Sequence, residues 1–272
     1  MTPSISRARS RARALARFSG ALFATSLASA MAQRGAFLMQ VGLMALNNAI
    51  FFTFWIVLFS RVPKIRGYGL PDVAVLYGVV AAGIGLAVTV AGGVRLLARF
   101  IHEGELDSLL SQPKPTLLYA LGRRTLASGI GDVVSGIVMI VLSGVVGLSR
   151  VPVVVVAVLA SALICVASCV LFNSIAFWLG RVETASRQLF ESLITFSLYP
   201  EPLFGGAMRL LLFTLVPAGF VGYLPARLVS EPSGVLIAEL VVAAMGYGAA
   251  AWFVFDRGLR AYSSGSRFEF NG

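Results

Sequence analysis

The sequence predicts an all-α membrane protein of six transmembrane helices. A broken, re-entrant segment is expected between the fifth and sixth, and an interfacial amphipathic helix at the N-terminus. Three observations predict this. Of 272 residues, 58% are hydrophobic and 12% charged, with a mean hydropathy of +0.87, whereas soluble domains carry roughly 25% charged residues. The apolar residues lie in continuous runs near the ~20 residues a spanning helix needs, not in the alternating ~10-residue strands of a barrel. The cations cluster at the ends of those runs.

Residues 1–35 form a basic segment. Positions 7–17 read RARSRARALAR. On a helix, Leu15, Phe18 and Leu22 share one face while Arg9, Arg13 and Arg17 share another, the pattern of a helix lying on anionic headgroups, with membrane lipids as its partner. Ala21–Ala30 ends in Ala-Ser-Ala, like a signal-peptide cleavage site, but its apolar core is short and broken by Thr25 and Ser26. The transmembrane domain is expected over 36–258, with spans near Ala36–Phe59, Val73–Val94, Thr125–Leu148, Pro152–Leu179 and Gly234–Phe255. Small residues four apart, such as Gly78/Ala82, Ala81/Gly85 and Gly131/Ser135, let helix backbones approach closely in lipid.

The stretch 188–221 is too long for one crossing; as a single helix it would run about 51 Å against a ~30 Å core. Pro200, Pro202 and Pro217 interrupt it. One crossing ending near Tyr199-Pro-Glu-Pro202 is expected, then a hairpin over about 202–221 that dips back from the same face. Irregular backbone at membrane depth survives only where protein or a water-filled cavity satisfies it. The break is therefore a candidate gate, with Glu201 and Arg209 flanking it and stabilising its closed form. Residues 259–272 form the tail.

Six crossings with a cytoplasmic N-terminus place sixteen cations inside: Arg7, Arg9, Arg11, Arg13, Arg17, Arg34, Arg95, Arg99, Lys114, Arg123, Arg124, Arg181, Arg187, Arg257, Arg260 and Arg267. Five fall outside, at Arg61, Lys64, Arg66, Arg150 and Arg227; Arg209 lies in the broken region. This is the positive-inside bias, and it puts both termini in the cytoplasm. It also explains the net charge of +10 without nucleic acid.

Catalytic motifs are missing from the sequence. Only Lys64 and Lys114 are lysines and neither follows glycine, so there is no Walker A loop; one histidine, His102, forbids H-E-x-x-H. Cys165 and Cys169 read as small buried thiols, and no metal site is indicated. Asp132, about 8 residues into the third span, is a functional candidate by its depth. It is expected to face the pathway or to pair with Arg123, Arg124 or Arg209.

The segment 99–113 is polar between two apolar runs. Leu106, Leu109 and Leu110 form an i, i+3, i+4 stripe, Glu103, Glu105 and Asp107 fan around the rest, and Pro113 stops the helix. It reads as an amphipathic helix that offers leucines to the groove of a soluble partner.

Here the chain resembles the type-2 ABC exporter permeases, closest to the six-span branch of drug or viologen export permeases. Gly104, Asp107, Leu110 and Pro113 match a G-x-x-D-x-x-L-x-x-P pattern after the second span. Tyr199-Pro200, Arg209, Pro217-Ala-Gly-Phe220, Tyr223-Leu-Pro225 and Gly258-Leu-Arg-Ala-Tyr-Ser263 follow in order. Ser111 departs from the more basic or apolar residue expected before Gln-Pro. The resemblance runs from about residue 20 and implies a non-catalytic subunit of a bacterial inner-membrane exporter. Two permease chains, identical or paralogous, pair. Each docks a separate ATPase subunit through Glu103, Gly104, Glu105, Leu106, Asp107, Leu109, Leu110 and Pro113. ATP and Mg are held by that partner and no cofactor by this chain. Tyr199, Pro200, Glu201, Arg209 and Pro217 join Asp132 as pathway or gate candidates, and analogy points to a lipophilic cargo. The competing readings are an ion- or proton-coupled secondary carrier, which would show paired broken helices in both halves, and a membrane-embedded enzyme.

Overall fold

The computed structural model describes residues 3–111 and 115–262, with side chains placed from residue 14 onward except that of Ala16. Among these residues the chain is helices and turns, with one isolated bridge between Ile65 and Tyr68. In chain order the helices are α1 Pro3–Met31, α2 Arg34–Arg61, α3 Leu70–Val90, α4 Leu97–His102, α5 Leu106–Leu110, α6 Thr116–Gly122, α7 Ser128–Leu142, α8 Val151–Ser174, α9 Ala176–Leu179, α10 Glu183–Ser197, α11 Gly206–Leu212, α12 Leu224–Ser230 and α13 Gly234–Ala261.

Four stretches are long and apolar enough to cross a membrane: α2, α3, Leu148–Leu179 and α13. This makes the chain a multi-pass membrane protein. The third expected span, Thr125–Leu148, is helical only over the fifteen residues of α7. Ser143 closes that helix by donating its hydroxyl to the Ile140 carbonyl, and Gly144 then turns to φ +69°. Val145, Val146 and Leu148 lengthen the apolar run in the sequence without lengthening the helix.

The bundle is organised around α3. Every residue from Val73 to Gly85 is buried. Its glycines make this possible: a Cβ at Gly85 would lie 2.5 Å from the Gly129 carbonyl oxygen, and one at Gly78 2.7 Å from that of Gly136. Helices α3 and α7 therefore touch backbone to backbone, where dispersion holds them without help from water exclusion. In contrast, α2 buries only Asn48, Trp55 and Phe59. Leu38, Met39, Leu43, Ile50, Phe51, Phe54 and Val57 all face outward.

Two ends can be told apart by contacts. At one, here the base, Ser26 donates to the Gly122 carbonyl, His102 meets Arg181, and Phe177 packs on Phe255 and Tyr262. At the other, the crown, the Arg66 guanidinium donates to the Pro202 carbonyl and Arg150 to that of Ser230.

Between α10 and α13 the chain forms a helical hairpin. It leaves the crown at Glu201, runs down α11, turns at 213–218 and climbs back through a π turn, Gly219–Tyr223, and α12. Its tip packs midway along α13, where the Tyr247 hydroxyl donates to the Thr214 carbonyl at 2.8 Å. Pro225 has no N–H to offer the Val221 carbonyl four residues back. Ser161 of α8 supplies the missing donor at 2.7 Å.

Candidate functional site

Three places hold the coupling, pathway and gate residues that the sequence singled out. The first is the base between α3 and α6. The expected continuous helix over 99–113 is broken in two, because Glu103 and Gly104 form a bend with Gly104 at φ +74°, a conformation that favours glycine. The orientation of the leucine stripe is a correction. Leu106 is 0% exposed and Leu109 4% exposed, both inside the main apolar core, and only Leu110 is on the surface. The stripe anchors the bend to the bundle, and the opposite face, Glu103, Asp107, Ser108, Leu110 and Ser111, is exposed. Two ion pairs brace it, Arg99 to Glu103 at 2.8 Å and Arg123 to Glu105 at 2.9 Å, with Arg123 also lying over the Phe100 ring. Asp107 lies near Tyr262 at the end of α13. Burial first, and then this carboxylate, push the tyrosine hydroxyl up to about 12. Pro113 lies outside the described residues.

The second is a half-open pocket of about 300 Å³ between α2, α3, the start of α7 and α10. Its walls include Phe51, Phe54, Trp55, Phe190 and Tyr199, and its polar groups Asn47, Asn48, Tyr77, Arg95 and Asp132. Asp132 is buried and lines this pocket, and of the two expectations for it, the pairing with an arginine is not seen. The Asn48 side-chain amide donates to its carboxylate at 2.7 Å, and the Tyr77 hydroxyl donates to the Asn48 carbonyl at 3.4 Å. Arg123 and Arg209 are held instead by Glu105 and Glu201. Asn48 escaped the sequence reading, although a pair of asparagines at 47–48 inside an apolar run carried the same signal of functional depth as Asp132.

The third is the crown. Glu201 and Arg209 form an ion pair of 2.7 Å across the start of the hairpin. Tyr68 sits beside it, its hydroxyl pushed above its ordinary value by burial and then by the Glu201 and Asp72 carboxylates. Pro200 and Pro217 are buried at the two bends of the hairpin, while Tyr199 is exposed and meets the Trp55 ring edge-on at 5.9 Å.

The N-terminal helix touches the bundle at the base. Phe18 stacks on Tyr119, with ring centroids 6.3 Å apart, and Leu22 reaches Gly122, while Leu15 and Arg17 face outward. The side chains of Arg9 and Arg13 lie outside the described ones. Among the described residues no group of three or more His, Cys, Asp or Glu side chains could hold a metal ion.

These features define a multi-pass membrane protein with a partly polar pocket among its helices. The chain belongs to the ABC-2 family of transporter proteins, whose model, described as ABC-2 family transporter protein, matches residues 45–266. Comparison with curated proteins and with solved structures gave no match.

Proposed function

We propose that this chain is the transmembrane permease subunit of an ATP-driven exporter in a bacterial inner membrane. It pairs with a second permease chain, and each chain docks one ATPase subunit that carries ATP and Mg. The observation that carries the reading is the α4–α5 elbow. It presents acidic and small polar groups outward, while Leu106 and Leu109 tie it to the same core as α3. A push on such an elbow moves the bundle rather than a loose loop.

In this reading α2, α3, α7, α8–α9, α10 and α13 are the six crossings, and α11–α12 is a re-entrant hairpin entered from the periplasmic face. The base faces the cytoplasm. Nine described cations lie there outside α1 (Arg34, Arg95, Arg99, Arg123, Arg124, Arg181, Arg187, Arg257 and Arg260), against five at the crown (Arg61, Lys64, Arg66, Arg150 and Arg227). The cavity beside Asp132 belongs to the pathway and suits part of a lipophilic molecule. The Glu201–Arg209 pair latches the hairpin.

Co-expression with a candidate ATPase subunit, affinity capture and ATPase assay test the docking. Leu110→Asp and Asp107→Lys are expected to abolish capture and stimulated hydrolysis while the permease still elutes as a folded species. Capture that is indifferent to both substitutions overturns the coupling assignment. The latch is abandoned if Glu201→Gln and Arg209→Gln each leave transport and ATPase activity unchanged.

A further inference from the structure

Three arginines from three separate elements open onto one crevice at the base. Arg95 comes from the 3-10 turn after α3, Arg124 from the segment before α7, and Arg187 from the second turn of α10. The crevice encloses about 330 Å³. Neighbouring Arg99 and Arg123 are matched with carboxylates, but none of these three takes part in an ion pair among the described residues. Arg95 lies 5.4 Å over the Phe190 ring instead. Glu183 is the one acid in the lining, which leaves a net charge of two positive units. The first turn of α10 also borders the crevice, and that fifteen-residue helix has no side-chain cap on its N-terminal N–H groups. Three cations gathered in a concave site with one acid among them raise its free energy, and an anion entering it lowers that free energy.

We propose that this crevice is a binding site for a phosphate-bearing anion. Guanidinium groups converging from several directions match the spread oxygens of a phosphate better than the two oxygens of a carboxylate. The source the surroundings favour is an acidic phospholipid headgroup. The crevice lies where the apolar stretch of α3 gives way to basic residues, and Leu96 and Leu126 border it as a footing for the lipid's apolar root. Basic pockets between helices at the cytoplasmic surface take such headgroups. Free phosphate shares the chemistry and is separated by experiment. Arg95 and Phe190 also line the cavity that holds Asp132, so the bound anion fixes the wall between crevice and cavity.

The full chain, reconstituted in mixed phosphatidylcholine and phosphatidylglycerol nanodiscs and released into the gas phase, reports by native mass spectrometry which lipid it retains. Titration calorimetry in detergent reports binding of inorganic phosphate. Retained phosphatidylglycerol is expected to exceed phosphatidylcholine, and each of Arg95→Gln, Arg124→Gln and Arg187→Gln to cut that preference about three- to tenfold. Arg260→Gln, whose native partner is Asp256, leaves it unchanged. Glu183→Gln keeps all three arginines and tightens retention, so the test does not depend on an arginine variant folding. Saturable phosphate binding with the same variant dependence, and no lipid preference, also supports the site and assigns the free anion as its source. A preference that survives the triple arginine variant overturns the proposal, as does weakening by Glu183→Gln. So does loss of ATPase capture with lipid preference intact, which would make the crevice a protein contact. The site stands apart from the coupling reading, since a chain that captures no ATPase still binds the anion.

Discussion

Removing the Asn48 amide tests whether the interior polar cluster holds α2 to the bundle. Asn48 and Asp132 are 4% and 6% exposed, and their N···O distance is 2.7 Å. A hydrogen bond to a charged group contributes about 1.5–3 kcal/mol in soluble proteins. Polar pairs inside membrane bundles average only about 0.6 and reach about 1.7 kcal/mol, because the chain unfolded in lipid finds other partners. A short bond to a buried carboxylate belongs at the upper end, so we expect a coupling of about 1–1.7 kcal/mol, roughly five- to twentyfold in the folding equilibrium. The Tyr77 contact to the same asparagine is long, at 3.4 Å, and adds little. The assay is a double-mutant cycle of Asn48→Ala and Asp132→Ala, with unfolding in mixed micelles followed by tryptophan fluorescence. Trp55 lies on α2 two turns from Asn48 and reports the helix directly. A coupling below about 0.3 kcal/mol refutes the argument.

Three further outcomes follow from the packing and electrostatics. Gly85→Ala brings a methyl to 2.5 Å from the Gly129 carbonyl oxygen and 2.6 Å from the Asp132 Cβ, forcing α3 and α7 apart at a cost of about 1–3 kcal/mol; Gly248→Ala, with open space around it, is the neutral control in the same unfolding assay. Leu106→Ala costs about 2–5 kcal/mol because the side chain is fully buried, whereas exposed Leu110→Ala stays within about 0.5 kcal/mol; equal losses would disprove the anchoring role. Tyr262 is neutral in the fold until about pH 12, against an ordinary value near 10. Between those two values the unfolded chain has lost a proton that the folded one keeps, so stability falls as pH rises through this window. Tyr262→Phe removes that loss, and Asp107→Asn lowers the titration seen at 295 nm.

Long apolar runs made α2, α3, α8 and α13 legible, since lipid tolerates little else over 20 residues. The prolines at 200 and 202 likewise announced the end of α10. The sequence was weaker wherever a pattern names a face without naming what covers it. Leu106, Leu109 and Leu110 share a stripe on any helix, but only the fold decides that two of them turn inward. Asp132 showed its depth, while its partner, 84 residues away on α2, depended on which helices cross there. The convergence of Arg95, Arg124 and Arg187 was hidden for the same reason. Each looked like one more topogenic cation until the turns after α3, before α7 and into α10 came together.

Helix α2 fully buries three side chains and leaves a long outer flank, from Leu38 to Val57, exposed. Most changes along that outward flank leave the other helices undisturbed. Such a segment can be rewritten to suit a different neighbour while the remainder of the molecule stays as it is.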